Sequence, residues 1–132
     1  MSFAWLGGGA TGRRAVLAGA LATALALLPA QAGAHAFVSR TDPRMSANLA
    51  ESPAQVRIWF DGPVEKMFLE VRVESADQRR VDKQDARLSP TDDTLVEVGL
   101  PPRLPPGRYR VFWKVVARDG HKREGSFSFL VK

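Results

Sequence analysis

The chain is 132 residues long, with 19 Lys+Arg against 14 Asp+Glu, a formal net charge of +5, and no cysteine. That length suits one domain, and the lack of cysteine excludes disulfides and thiolate metal sites. Residues 1–34 carry two of the basic residues and no acid, which leaves +3 for residues 35–132; bases and acids interleave across residues 72–85, a solvated face rather than a nucleic-acid footprint.

The first element in chain order is a leader. Arg13-Arg14 precede an apolar run over residues 15–28, shorter than the about 20 residues of a comfortable membrane span. Pro29 breaks the run, and Ala32-Gly33-Ala34 offers the small residues that a signal peptidase reads. Residues 1–34 are therefore predicted to be a signal peptide cleaved after Ala34, exported by the Sec or the twin-arginine route. Cleavage there makes His35 the first residue, with a free α-amine next to its ring nitrogen. Two adjacent donors can chelate one metal ion.

After His35 the pattern is of strands and turns. Residues 36–40 form a first strand stopped by Asp42-Pro43, and residues 46–51 form one helical turn or a loop. Val56, Ile58 and Phe60 then alternate with polar neighbours, as do Leu69, Val71 and Val73, the pair Val96 and Val98, Tyr109 to Val115, and Phe127 to Val131. Period two means that each strand buries one face. Ser52-Pro53, Asp61-Gly62-Pro63, Ser75-Ala76-Asp77, Thr91-Asp92-Asp93 and the segment 101–107 punctuate the runs. Short strands at this spacing predict an all-β sandwich occupying residues 35–132.

The other histidine of the chain lies in Asp119-Gly120-His121. On an extended segment Asp119 and His121 share a side, and Gly120 lets the backbone turn. With His35 they offer three nitrogens and a carboxylate, a set that suits Cu(II). Asp119 supplies an oxygen or holds a ring through a hydrogen bond. The plainer reading is an Asp-Gly hairpin turn carrying a surface histidine. Met45 and Met67, too few for a thioether site, are core or loop fillers, and Trp59 and Trp113 are packing residues. No G-x-S-x-G motif supports a nucleophile triad.

These residues resemble the CopC family of periplasmic copper-binding proteins and its YobA-like members. The likeness rests on His35-Ala36-Phe37-Val38, Thr41-Asp42-Pro43, Val56-Arg57-Ile58-Trp59-Phe60, Leu104-Pro105-Pro106-Gly107-Arg108-Tyr109, and the stretch from Trp113 through Asp119-Gly120-His121 to Phe129. It implies a Greek-key β-sandwich of about seven strands, described as cupredoxin-like or immunoglobulin-like. It also implies one Cu(II) per chain held by His35, Asp119 and His121, in a periplasmic protein that sequesters or carries copper without catalysis. A CopD-type inner-membrane transporter is an implied partner; a monomer with no nucleic-acid partner is expected. Two departures stand out. Phe60-Asp61-Gly62 lacks a glutamate that some members carry, leaving Asp61 as a neighbour, and Lys122 replaces the usual proline. The methionine-rich Cu(I) loop of two-site members is missing, so a Cu(II)-only protein is implied.

Two other functions fit the same residues. A histidine brace also serves copper-dependent oxidative enzymes, which need an open coordination position and an aromatic face for substrate. A metal-free sandwich could instead act as a periplasmic interaction module.

Overall fold

Branched apolar residues at every second position build this chain into strands with one dry face each. The computed structural model describes residues 38–132, so the leader, its cleavage point and His35 lie outside the described residues. The strands are β1 (Val38–Asp42), β2 (Ala47–Leu49), β3 (Gln55–Phe60), β4 (Glu70–Glu74), β5 (Arg87–Leu88), β6 (Leu95–Gly99), β7 (Gly107–Val116) and β8 (Lys122–Val131). They form two four-stranded sheets, β1-β3-β6-β5 and β2-β8-β7-β4. The chain passes between sheets after β1, β2, β3, β4 and β6, the wiring of a Greek-key β-sandwich. The described residues contain no helix.

The alternation expected of β3, β4, β6, β7 and β8 is realised. Val56, Ile58, Val73, Val96, Val98 and Val111 are fully buried between the sheets. Phe60 meets Trp113 edge to face at 5.2 Å between centroids, and Tyr109 stacks on Phe129. The Trp113 indole lies over Gly125, its cross-strand partner. A Cβ at residue 125 would stand 2.6 Å from Trp113 Cζ2, so the packing needs glycine there. Tyr109 donates its hydroxyl hydrogen bond to the Pro105 carbonyl at 2.5 Å, tying the 101–107 loop to the start of β7.

Three expectations need correction. Residues 46–51 form neither a helical turn nor a plain loop: β2 runs parallel to β8, with Ala47 opposite Phe129 and Leu49 opposite Val131. Backbone bonds from Ser46 N to Ser128 O and from Lys132 N to Leu49 O clamp its ends. With the two-residue β5, this brings the strand count to eight. The first strand runs on to Asp42, two residues past the expected end, with the register slipping between Val38 and Arg40; residues 36 and 37 lie outside the described residues. Trp59 is no core residue. It faces outward, half-buried, under the Arg40 guanidinium at 3.8 Å and beside that of Arg57. Met45 and Met67 both stand exposed on turns, the loop placement of the two expected for them.

The outer edge of β4 is covered by a buried carboxylate. Asp82 Oδ1 accepts the Val73 N–H at 2.9 Å, Oδ2 accepts the Gln84 N–H at 3.0 Å, and Arg80 binds both oxygens. Val81 N donates to Val73 O, so the segment after β4 occupies the edge that a second chain could otherwise pair with. Burial pushes the Asp82 carboxyl up, but the Arg80 guanidinium and the two backbone N–H groups outweigh it and hold it below its ordinary value. A depressed carboxylate stabilises the fold above its unfolded value of about 3.9, and that gain is lost as pH falls through the folded value. Asp82→Asn is expected to cost about 1–3 kcal/mol at pH 7 through lost and mismatched hydrogen bonds. Urea midpoints should show this gap narrowing below about pH 4. A gap that stays constant with pH would mean that the Asp82 charge contributes nothing.

Candidate metal centre

The β7–β8 hairpin carries the candidate ligands at its tip. Ala117 N donates to His121 O at 2.9 Å and Gly120 N to Ala117 O at 2.8 Å, closing a tight turn. Gly120 has φ +92°, a conformation that disfavours side chains. The turn wraps Asp119 onto His121: Oδ1 accepts the His121 backbone N–H at 3.0 Å, and Oδ2 lies 3.0 Å from His121 Nδ1. The pair therefore meets through a turn, rather than by sharing one side of an extended strand. The plainer reading of Asp119-Gly120-His121, a hairpin turn carrying an exposed histidine, is what the structure shows, and the turn is what orients the imidazole.

Electrostatics follow from these contacts. The His121 backbone N–H and then its ring N–H hold the Asp119 carboxyl below its ordinary value, with the Arg123 charge adding a smaller pull. An ionised Asp119 accepts from Nδ1–H and leaves Nε2, on the opposite side of the ring, to bind a metal. Both side chains are well exposed, at 69% for His121 and 63% for Asp119.

The hairpin tip is tied to the rest of the sandwich by the segment after β3. Arg118 N donates to Pro63 O, Glu65 N to Val116 O, and Val64 bridges Ala117. Val64 N in turn donates to Asp93 O at the start of the β6 side, and Arg118 forms an ion pair with Asp93 at 3.1 Å. Sequence patterning missed this strap, since single bridges have no periodicity. Asp61 is exposed on the bend that begins it.

The start of β1 lies beside β8. Val38, Thr41, Met45, Trp113, Glu124 and Gly125 help line one cavity of about 450 Å³. Val38 pairs with Phe60, just before the strap that bonds the hairpin tip, so going back along β1 leads toward that end of the sandwich. His35 lies outside the described residues, and among those residues no three His, Cys, Asp or Glu gather into a metal site. Asp119 and His121 are brought together; a third ligand must come from elsewhere.

A family model described as CopC domain matches residues 38–132. The chain belongs to the CopC family. This CopC domain is 33% identical over 107 residues to the copper transport protein CutJ of Bacillus subtilis, covering 81% of this chain and 20% of CutJ. It thus spans about a fifth of the length of that relative. It is 30% identical over 99 residues to protein YobA of Escherichia coli K12, covering 75% of this chain and 80% of YobA. Among solved structures it resembles CopC from Methylosinus trichosporium OB3b, with a TM-score of 0.68 and 26% identity, over 73% of this chain and 92% of the other. The copper resistance protein PcoC of Escherichia coli shares the fold, with a TM-score of 0.62, 21% identity and coverage of 72% and 98%.

In the metal-free CopC domain His121 is expected to carry its proton on Nδ1. Long-range proton–nitrogen NMR reads this tautomer, and Asp119→Ala should move the proton to Nε2. An unchanged pattern in the variant would remove Asp119 as the group that orients the ring.

Proposed function

We propose that this protein is an exported, periplasmic Cu(II) carrier or buffer that binds one copper ion per chain through His35, Asp119 and His121. The observation that carries this reading is the path of β1 beside β8. Val38 and Glu124 line one cavity, and from Glu124 the strand β8 runs back to the hairpin tip. His35 is three positions before Val38 and His121 three before Glu124; each stretch spans at most about 11 Å when extended. A mature start at His35 would therefore lie within reach of His121 Nε2. Two imidazoles, an α-amine and a carboxylate form the nitrogen–oxygen set that Cu(II) favours. The names of relatives support the same metal, as copper transport for CutJ and copper resistance for PcoC. The role is binding and transfer without catalysis, and a CopD-type transporter in the inner membrane is the proposed recipient.

Intact mass of the exported protein is expected to place the first residue at His35. Any other start removes the chelating amine and defeats the three-residue site. Copper is expected to raise the melting temperature by an amount set by its concentration over its dissociation constant. His121→Ala, or one extra residue before His35, should each abolish most of that gain. Asp119→Ala should reduce it less if the carboxylate holds the imidazole through Nδ1, and as much as His121→Ala if it ligates the metal directly. An extended N-terminus with the full copper-induced shift would show that the amine is not a ligand.

Copper retention is also expected to collapse as pH falls through neutral. Each nitrogen ligand must lose its proton to bind, so several protons compete with one metal ion. Competition with a chelator across pH measures this. Retention that is flat from pH 8 to about 5 would exclude imidazole and amine ligation.

A further inference from the structure

The outer face of the β2-β8-β7-β4 sheet carries a groove at the end away from the hairpin tip. Along β7, Arg108, Arg110 and Phe112 face outward at alternate positions, while Tyr109 and Val111 point into the core. On β8 the outward positions between Glu124 and Leu130 are Ser126 and Ser128. Long side chains on one strand beside short ones on the next leave a trough of about 540 Å³. Ser75, Gln78, Arg108, Arg110, Ser126 and Ser128 help line it. All six side chains can donate hydrogen bonds.

Charge in the trough is one-sided. Glu74 stands opposite Arg110 in the ladder, but it is half-buried and ion-paired with Arg72 at 2.7 Å. Asp77, on the turn after β4, accepts from Ser75 and pairs with Arg79 at 3.2 Å. Across the ladder on β8, Arg110 faces Ser128 and Arg108 faces Leu130. Among the described residues, two guanidiniums therefore remain after the nearby carboxylates are matched. Glu70 and Glu124 flank Lys114 in another row, about 14 Å further along the strand. Arg110 is also held in place: its guanidinium lies over Phe112 at 5.1 Å and donates to Ser126 Oγ at 3.4 Å. Arg72 lies over the same ring at 4.9 Å.

We propose that this trough binds an extended acidic segment of a partner protein, with carboxylates at alternate positions accepting from Arg108 and Arg110. Alternate residues of a strand repeat at about 6.8 Å, so the two arginines match positions i and i+2 of an extended peptide. A guanidinium fork fits a carboxylate, and the serine hydroxyls and Gln78 amide can donate to the carbonyls of the peptide. An arginine that is already oriented loses less freedom on binding. Stacked nucleobases would need an open aromatic face, and two guanidiniums already lie over Phe112. A lipid surface would need an apolar side chain reaching outward, and Phe112 is half-buried. Arg110 lies six residues, about 20 Å of strand, from Val116 at the hairpin end, so a docked segment leaves Asp119 and His121 open. The docking does not depend on copper and stands or falls separately from the metal reading.

The experiment uses the exported protein from cells expressing the full chain, stripped of metal by dialysis so that no ion bridges it to the probe. A fluorescein-labelled peptide Glu-Thr-Glu-Thr-Glu is titrated at low salt and followed by anisotropy. It is expected to bind, Gln-Thr-Gln-Thr-Gln is not, and Glu-Glu-Glu-Thr-Thr should bind several-fold more weakly, because adjacent side chains of a strand point to opposite faces. Arg108→Gln and Arg110→Gln should each weaken binding about threefold and together about tenfold, the scale of exposed ion pairs. Lys66→Gln, at the other end of the sheet, should change nothing. Arg108 is exposed, so Arg108→Gln keeps the test decisive if Arg110→Gln lowers the melting temperature. No binding of the alternating peptide, or an equal loss in Lys66→Gln, overturns the proposal. Equal affinity for the consecutive-glutamate peptide, or for pentathymidylate, overturns it as well, by reducing the face to a general attraction for anions.

Discussion

The ten-pair ladder between β7 and β8, from Gly107 opposite Val131 to Val116 opposite Lys122, is the constraint on which the rest of this fold depends. A slip of one residue would turn every side chain of one strand to the other face. Two features resist it. Trp113 fits over residue 125 only because that residue is glycine, and at the tip the five-residue closure from Ala117 to His121 needs the positive φ of Gly120. The same register that buries Val111, Trp113 and Phe127 sets Asp119 against His121 at the end of the ladder. Core and candidate metal centre are thus two readouts of one alignment.

Around the tip, individually weak interactions combine to fix direction. The exposed Arg118–Asp93 pair is worth little by itself. The Asp119–His121 contact is equally open to water. Their value lies in geometry: the backbone bonds of the Pro63–Glu65 strap hold the turn, the turn holds the carboxylate, and the carboxylate selects which imidazole nitrogen faces outward. A ligand that is already oriented loses less freedom when a metal arrives.

The N-terminal segment links this end to both sheets. β1 pairs with β3 in one sheet, and β2 pairs in parallel with β8 in the other. One short stretch of chain therefore belongs to both layers, and its first described residue, Val38, lies across a shared cavity from Glu124. The exposed Met67–Phe68 turn follows the same strap.

Much of the sandwich was legible in the sequence because burial on one face writes itself as alternation. Val56-Ile58-Phe60, Val71-Val73, Val96-Val98 and Tyr109 to Val115 appear as strands in the chain and occupy the core in the structure. Asp119-Gly120 is legible as a turn, since few dipeptides tolerate that backbone. β2 and β5 were hidden, because three residues and two residues are too short to show a period, and parallel pairing with β8 is set by a partner some eighty positions away. Trp59 looked like core by composition, yet its place in the alternation with Ile58 and Phe60 turns it outward to the guanidiniums of Arg40 and Arg57. Local residue chemistry determined which side chains could hold a metal. Only tertiary structure decided that Val38, at the start of β1, faces one cavity with Glu124 on the strand that begins next to His121, because that neighbourhood arises from two sheets packing together and leaves no trace in any single window of sequence.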